Sequence, residues 1–355
     1  MASYDFLMGG VALTQSSGAG TPESLPAGSS DITLAEGALL GDANSGVGES
    51  GIDLTLGKSL SEKAPITGSF TRPFADSLGI VVEGFSYAVP LKGSGATATP
   101  ADAEYRPTAD GVSTDAFLRA CGLTGAAWGS GDGWEYTPAS TEVMTAGVYY
   151  GIDGSDDLGY VRLSDVSAST LTFQFTPGEI ATMTADFAGS FEDEGTVNHT
   201  SDPFDYGTQA TLSAPQVASV AFTWDVARGF GFSSLQIVLD NETEEIAASN
   251  SASGKSKRQT GRTITVSATF DADSVDTEQE ITQLQNTVIG SADAMSFTVG
   301  TAAGASDTIN AYTISLPTPE PDQMQFAKMA ASQAYTMRFK ARAASTNGEF
   351  VFRYI

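Results

Sequence analysis

One cysteine and one histidine stand in a chain of 355 residues. A single thiol excludes an intramolecular disulfide framework, and Cys121 with His199 alone cannot furnish a Cys/His zinc site. Any Ser-His-Asp or Cys-His mechanism would rest on His199, which lies in the polar stretch 192–203 and reads as an ordinary loop residue. No apolar run approaches the roughly 18 residues that suggest a membrane-spanning helix, and mean hydropathy is −0.06. The expectation is a soluble protein without membrane association. The opening MASYDFLMGG has no basic region ahead of an apolar core, so neither a secretory signal nor export is expected. Without export, the triplets Asn198-His199-Thr200 and Asn241-Glu242-Thr243 are read as accidental matches to a glycosylation acceptor.

Basic residues are scarce as well: 17 Lys and Arg oppose 43 Asp and Glu, a formal net charge of −26. Such a field repels nucleic-acid phosphates and argues against binding driven by counterion release. It suits a protein past which DNA must slide. An acidic surface adapted to a saline habitat is the other reading, and the two are compatible. Among so many carboxylates no pair is singled out for glycoside hydrolysis, and Trp128, Trp134 and Trp224 fit cores and interfaces as well as a sugar site. The run Asp153-Gly154-Ser155-Asp156-Asp157 offers Asp153, Asp156 and Asp157 as oxygen ligands for a hard cation, but it lacks EF-hand spacing and reads better as a turn. The glycines of 300–304, GTAAG, lack the Lys-Ser/Thr of a phosphate loop and also read as a turn. No cofactor is expected, and no enzymatic activity.

The length accommodates two domains of about 100–200 residues each. Residues 1–50, rich in Gly, Ser and Ala, read as an extended arm with one or two short strands. Residues 51–195 and 216–355 read as two mainly β domains, with 196–215 as linker. Beyond residue 51, short runs of Val, Ile, Thr, Phe and Tyr alternate with Gly, Asp and Ser clusters, the pattern of strands and turns.

The order of elements suggests an internal repeat. One copy opens with the strand 52–56, passes a polar stretch at 57–77 containing Lys63 and Arg72, and enters a strand at 79–91. The other opens with 235–239, passes a polar stretch at 240–261, and enters 263–270. There Ile264, Val266, Ala268 and Phe270 alternate with Thr263, Thr265, Ser267 and Thr269, a period of two that turns one face inward. Each copy then predicts a helix. Ser113 or Thr114 caps 115–121, which Gly122 stops; the capping-box pattern at 277–280 precedes the apolar stripe Ile281, Leu284 and Val288. Strands follow at 134–136, 147–152 and 160–163 in one copy, and at 296–299 and 308–316 in the other. Both copies end alike: 171–175 leads through Gly178-Glu179 to a strand reaching Phe187, and 335–341 leads through Gly348-Glu349 to a strand reaching Tyr354.

A strand pair with a long polar hairpin loop, then a sheet strand, one helix and a closing meander resembles the tail tube proteins of long non-contractile-tailed (siphovirus-type) bacteriophages. The likeness is carried by FLRACGL (117–123), by LQIVLDNETEEI through RTITVSATF, and by SFTVGTAAG (296–304), and it spans about 51–355. It implies two tandem β-sandwich or half-barrel domains, each with one short helix. Three copies would close a pseudo-hexameric ring, and rings would stack into a tube whose electronegative lumen conducts DNA during ejection without binding it. It further implies a place in the virion tail after synthesis in the host cytoplasm, with tape measure, terminator and distal tail proteins as partners beside the chain itself. The cations Lys255, Lys257, Arg258 and Arg262, with Lys63 and Arg72, are the candidate contacts between rings; a solvated hairpin tip is the other reading of the 249–262 segment. A different tail ring, such as a distal tail or terminator protein, and a secreted carbohydrate-binding or hydrolytic β-sandwich remain as alternatives.

Overall fold

The computed structural model describes residues 8–15, 32–36, 52–61, 76–93, 114–128, 133–151, 157–198, 214–217, 222–223, 229–230, 232–247, 255–271, 294–301, 310–329, 332–343 and 346–354. Its strands are β1 (Met8–Gln15), β2 (Ile32–Glu36), β3 (Ile52–Ser61), β4 (Asp76–Pro90), β5 (Leu123–Trp128), β6 (Gly133–Pro138), β7 (Met144–Gly151), β8 (Asp157–Phe175) and β9 (Thr182–Asn198). Then come β10 (Phe222–Thr223), β11 (Gly229–Phe230), β12 (Phe232–Ala247), β13 (Lys255–Asp271), β14 (Met295–Thr301), β15 (Asn310–Leu316), β16 (Thr318–Met329), β17 (Ser332–Arg342) and β18 (Val351–Tyr354). One helix, α1 (Thr114–Ala120), stands among the described residues. The fold is mainly β with one short helix and two sheets. The expected helix at 277–290 and residues 199–213 of the expected linker lie outside the described residues.

The larger sheet has eleven strands. Its main path runs β16-β17-β13-β12-β8-β7-β1-β2, and β9, β4 and β3 continue from the other side of β8. The smaller runs β11-β10-β14-β15-β18-β6-β5. All pairings are antiparallel, as short apolar alternations joined by turns demand. Two sets of four strands share one order within the larger sheet: β3-β4-β9-β8, then β12-β13-β17-β16. Strands from 51–195 and from 216–355 meet in both sheets, through β8–β12 in the larger and β6–β18 in the smaller.

The period of two does what the sequence predicts. Ile264, Val266, Ala268 and Phe270 are buried, while Thr263 is exposed. Inward positions of β8, β12 and β17 add Phe173, Phe175, Ile237, Leu239, Met337 and Phe339, each fully buried. Rings from distant segments interlock there: Phe173 stacks on Phe350 at 5.7 Å between centroids, and Phe175 meets Phe297 edge-on at 4.9 Å. Each such side chain contributes about 1.5–3 kcal/mol by leaving water. Val11 and Leu13 of β1 are also fully buried, so residues 8–15 of the expected arm are built into the sheet through β7.

Three features depart from expectation. The polar stretches after 56 and after 239 are not simple loops: β3–β4 pairing continues to Ser61↔Asp76, and β12–β13 pairing to Ala247↔Lys255. The register of the second ribbon opposes Glu244 to Arg258 and Glu245 to Lys257, positions of opposite charge of the kind an antiparallel ladder favours. By strand order, 171–175 of β8 and 324–328 of β16 each lie in the last strand of their four-strand sets, while 335–341 lies in β17, the third strand of its set. Lastly, β16 contains Pro319 and Pro321 and reads poorly as a strand; it lies at the sheet edge, where a missing N–H costs least.

One long strand, β8, serves two partners on the same side. Residues 158–166 pair with β7, and 170–175 pair with β12. Between them the β8–β9 register shifts at Ser164/Ser167 and at Ala168/Thr170, and Asp165 takes a left-handed φ of 53°. These bulges bend β8 so that it leaves one neighbour and meets the next.

Candidate assembly surfaces

The β8–β12 joint is built from six opposed pairs, Phe175↔Leu235 to Thr170↔Asp240. Apolar alternation brings Leu235, Ile237 and Leu239 inward on β12, and the next inward position is Asn241, only 1% exposed. Its Nδ2 donates to the Cys121 carbonyl at 2.9 Å and to the Ala168 carbonyl at 3.3 Å. Its Oδ1 accepts from Gln259 Nε2 at 2.9 Å, and Gln259 Oε1 accepts from the Thr141 N–H at 3.0 Å. One amide thus ties β12 to β8, to β13 and to the end of α1. Gly122 stops α1 at φ 84°, and a Cβ there would meet Asn241 Oδ1 at 3.2 Å.

Helix α1 fits between the sheets. Phe117 meets Phe187 of β9 at 5.6 Å, and Asp115, buried, accepts the Tyr136 hydroxyl of β6 at 2.7 Å. Arg119 lies 3.6 Å from Asp115 and grips both carboxylate oxygens of Glu142, at 3.0 and 2.5 Å. Burial, and then the charge of Asp115, push the Tyr354 phenol far up; burial and the neighbouring Tyr354 do the same to Tyr312. Both remain neutral. Burial, and then the charge of Asp186, raise the Cys121 thiol well above its ordinary range. Raised, enclosed and held in a packed layer, none of these groups is poised for acid–base or nucleophilic work.

The expected inter-ring cations divide. Lys255, Lys257 and Arg258 begin β13 on the distal ribbon, opposite Ala247, Glu245 and Glu244. Arg262 sits four residues nearer the core and is engaged within the chain. Its Nε donates to Glu349 at 2.8 Å, Nη2 also pairs with Glu349, and Nη1 donates to the Ala139 carbonyl at 2.8 Å; the two side chains of the pair are 13% and 14% exposed. Lys63, Arg72, Asp153 and Asp156 lie outside the described residues. Asp157 opens β8 opposite Asn198. Among the described residues no group of three or more His, Cys, Asp or Glu is placed to hold a metal ion.

Sequence reasoning placed an element at 335–341 but passed over β16 and the basic stripe of the edge hairpin β16–β17. Along β17, Arg338, Lys340 and Arg342 project at alternate positions, each about half exposed in the side chain at 48%, 46% and 56%. Asp322 takes Arg338 Nε at 2.8 Å and Lys340 at 3.3 Å, and Glu320 takes Arg342. The hydrogen bond from Arg338 is the chief reason that the Asp322 carboxyl titrates below the usual range. On the other face of β16, Met324 packs partly against the core while Phe326 is 61% exposed. The period-two spacing of RFKAR was the signal available for the basic stripe. In the smaller sheet, the short edge strand β5 carries no charge, and Arg353 lies 4.3 Å over the half-exposed Trp128 ring while donating to Glu135 at 2.6 Å.

No protein-family model matches the chain, and no curated protein matches it in sequence.

Proposed function

We propose that this chain is a structural virion protein: a tail tube subunit that closes into rings, stacks into the conduit for DNA, and has no catalytic role. The observation that carries the reading is the repeated order β3-β4-β9-β8, β12-β13-β17-β16, joined head to tail inside one sheet. We read the two sets as tandem copies of one tube-forming unit, each a half-barrel contribution. Three chains then supply six units, a pseudo-hexameric ring. Closing the ring removes the sheet edges that would otherwise invite uncontrolled association.

The charge balance supports passage of DNA. With a net charge of −26, a lumen formed by this protein repels phosphates, so that DNA moves without sticking. The 255–258 cations at the end of the β12–β13 ribbon, with Lys63 and Arg72, meet the acidic surface of the next ring, a contact screened over about 8 Å at physiological salt. Tape measure, terminator and distal tail proteins are the partners at the tube ends, and the assembled protein resides in the virion tail.

Negative-stain electron microscopy of the purified protein tests the reading. Tubes or stacked rings with three-fold end-on symmetry are expected. Persistent monomers at high concentration would refute it, and six-fold rings of six whole chains would keep the tube but remove the tandem reading. Replacing Lys255, Lys257 and Arg258 together by Ala should shorten the tubes; unchanged length removes their stacking role.

A further inference from the structure

The shared strand order can be aligned residue by residue. Leu171 and Phe173 of β8 oppose Ala185 and Met183 of β9, and Met324 and Phe326 of β16 oppose Met337 and Tyr335 of β17. Ala185 and Met337 in turn oppose Tyr87 of β4 and Ala268 of β13. Each ladder skips one residue at the same point, Ser169 in β8 and Asp322 in β16. Coincident bulges fix the alignment, because a slip of one residue would turn every apolar side chain to the wrong face. Segment 323–328 therefore stands where 170–175 stands, and 52–56 stands where 235–239 stands.

One of these positions has a strand beside it and the other does not. Residues 170–175 pair with β12, and Phe173 is fully buried. Among the described residues β16 pairs only with β17 and β3 only with β4. Phe326, the counterpart of Phe173, is 61% exposed. The two prolines of β16, which offer no N–H, are Pro319 and Pro321, both just outside the six-residue segment that pairing would use.

We infer that β16 of one copy pairs antiparallel with β3 of a second copy in the register of the internal β8–β12 joint, with Phe326 opposite Leu54 and Met324 opposite Leu56. The partner is another copy of this chain because each copy carries both halves of the joint and leaves one of each over. The contact is head to tail, so successive copies generate a ring when the rotation closes. The inference rests on the ring-forming reading and specifies its joint.

The register makes Thr55 and Gln325 direct neighbours across the contact, as Val238 and Thr172 are within the chain. Opposed residues in an antiparallel ladder have Cα atoms about 4.5–5.5 Å apart, within disulfide reach. The only native thiol, Cys121, is buried. The full-length Thr55→Cys/Gln325→Cys variant should therefore form covalent oligomers on mild oxidation, read on a non-reducing gel. Either single variant, and the off-register Thr55→Cys/Gln323→Cys pair, should cross-link at least tenfold less. Phe326→Asp, at a site exposed in the single chain, should keep the wild-type far-ultraviolet circular dichroism spectrum while losing oligomers in native mass spectrometry. Oligomers that persist in Phe326→Asp, or that cross-link no better in register than off, overturn this joint and leave the ring-forming reading standing. Absence of any wild-type oligomer overturns both.

Discussion

Removing the Asn241 amide should unfasten the place where the two four-strand sets meet. Asn241→Ala deletes two well-formed bonds of 2.9 Å, to the Cys121 carbonyl and from Gln259, and a weaker one of 3.3 Å to Ala168. Each good bond contributes about 0.5–1.5 kcal/mol net, and a buried carbonyl left without a donor costs about 1–3 kcal/mol more. The expected loss is about 3 kcal/mol, measured as the shift of the urea midpoint at constant slope. Asn241→Asp keeps the shape but turns a carboxylate oxygen toward carbonyl oxygens. Its folded-state carboxyl must titrate above the unfolded value of about 3.9. The carboxylic acid, which can donate, is the better-tolerated form. The stability of this variant is therefore fullest below that unfolded value and is lost as pH rises through the folded one. Its deficit against wild type should shrink as pH falls from 7 toward 5. A shift below about 0.5 kcal/mol for Asn241→Ala, or a deficit in Asn241→Asp that does not respond to pH, refutes the pin.

Three further outcomes are expected. Arg262→Ala leaves Glu349 enclosed without its partner and should cost about 2–4 kcal/mol by urea denaturation, with Arg262→Lys recovering little because one ammonium cannot span both Glu349 and the Ala139 carbonyl. The Asp322 carboxyl should titrate below a model aspartate by NMR and return toward it in Arg338→Gln; its small contribution to stability is present above the unfolded pKa and lost as pH falls through the folded one. Cys121 should resist maleimide at neutral pH in native protein and react once urea unfolds it; prompt native labelling would contradict its burial.

Much of the sheet was legible because its inward faces follow a period of two. Ile264 through Phe270 gave β13, and Phe117, Cys121 and Gly122 gave α1 with its stop. Asn241 was legible in principle, as the next inward position after Leu235, Ile237 and Leu239, but a lone polar residue in that place reads as the end of a strand. Its role depends on accepting carbonyls of Cys121, just past α1, and of Ala168 in β8, 120 and 73 residues away. The β16 strand was hidden by its prolines, since edge position, which excuses them, is a property of the whole sheet. Exposure of Phe326 likewise depends on what covers the face, not on the residue. Charge pattern alone grouped Arg262 with Lys255, Lys257 and Arg258, although four residues of strand carry it from the distal ribbon to Glu349.

The placing of β18 between β15 and β6 has a consequence for the nascent chain. Arg353 reaches Glu135 across 218 residues, which a ribosome adding about 5–20 residues per second makes in roughly 10–40 s. Throughout that interval the β5–β6 hairpin and Tyr136 wait without the strand that completes their sheet. The same separation of 218 residues raises the contact order, which slows the final docking step. The smaller sheet is thus completed only once residues 351–354 have been made, and a truncation before residue 351 should release a chain whose larger sheet can pair while β6 stays an open edge exposed to chaperones and to its own kind.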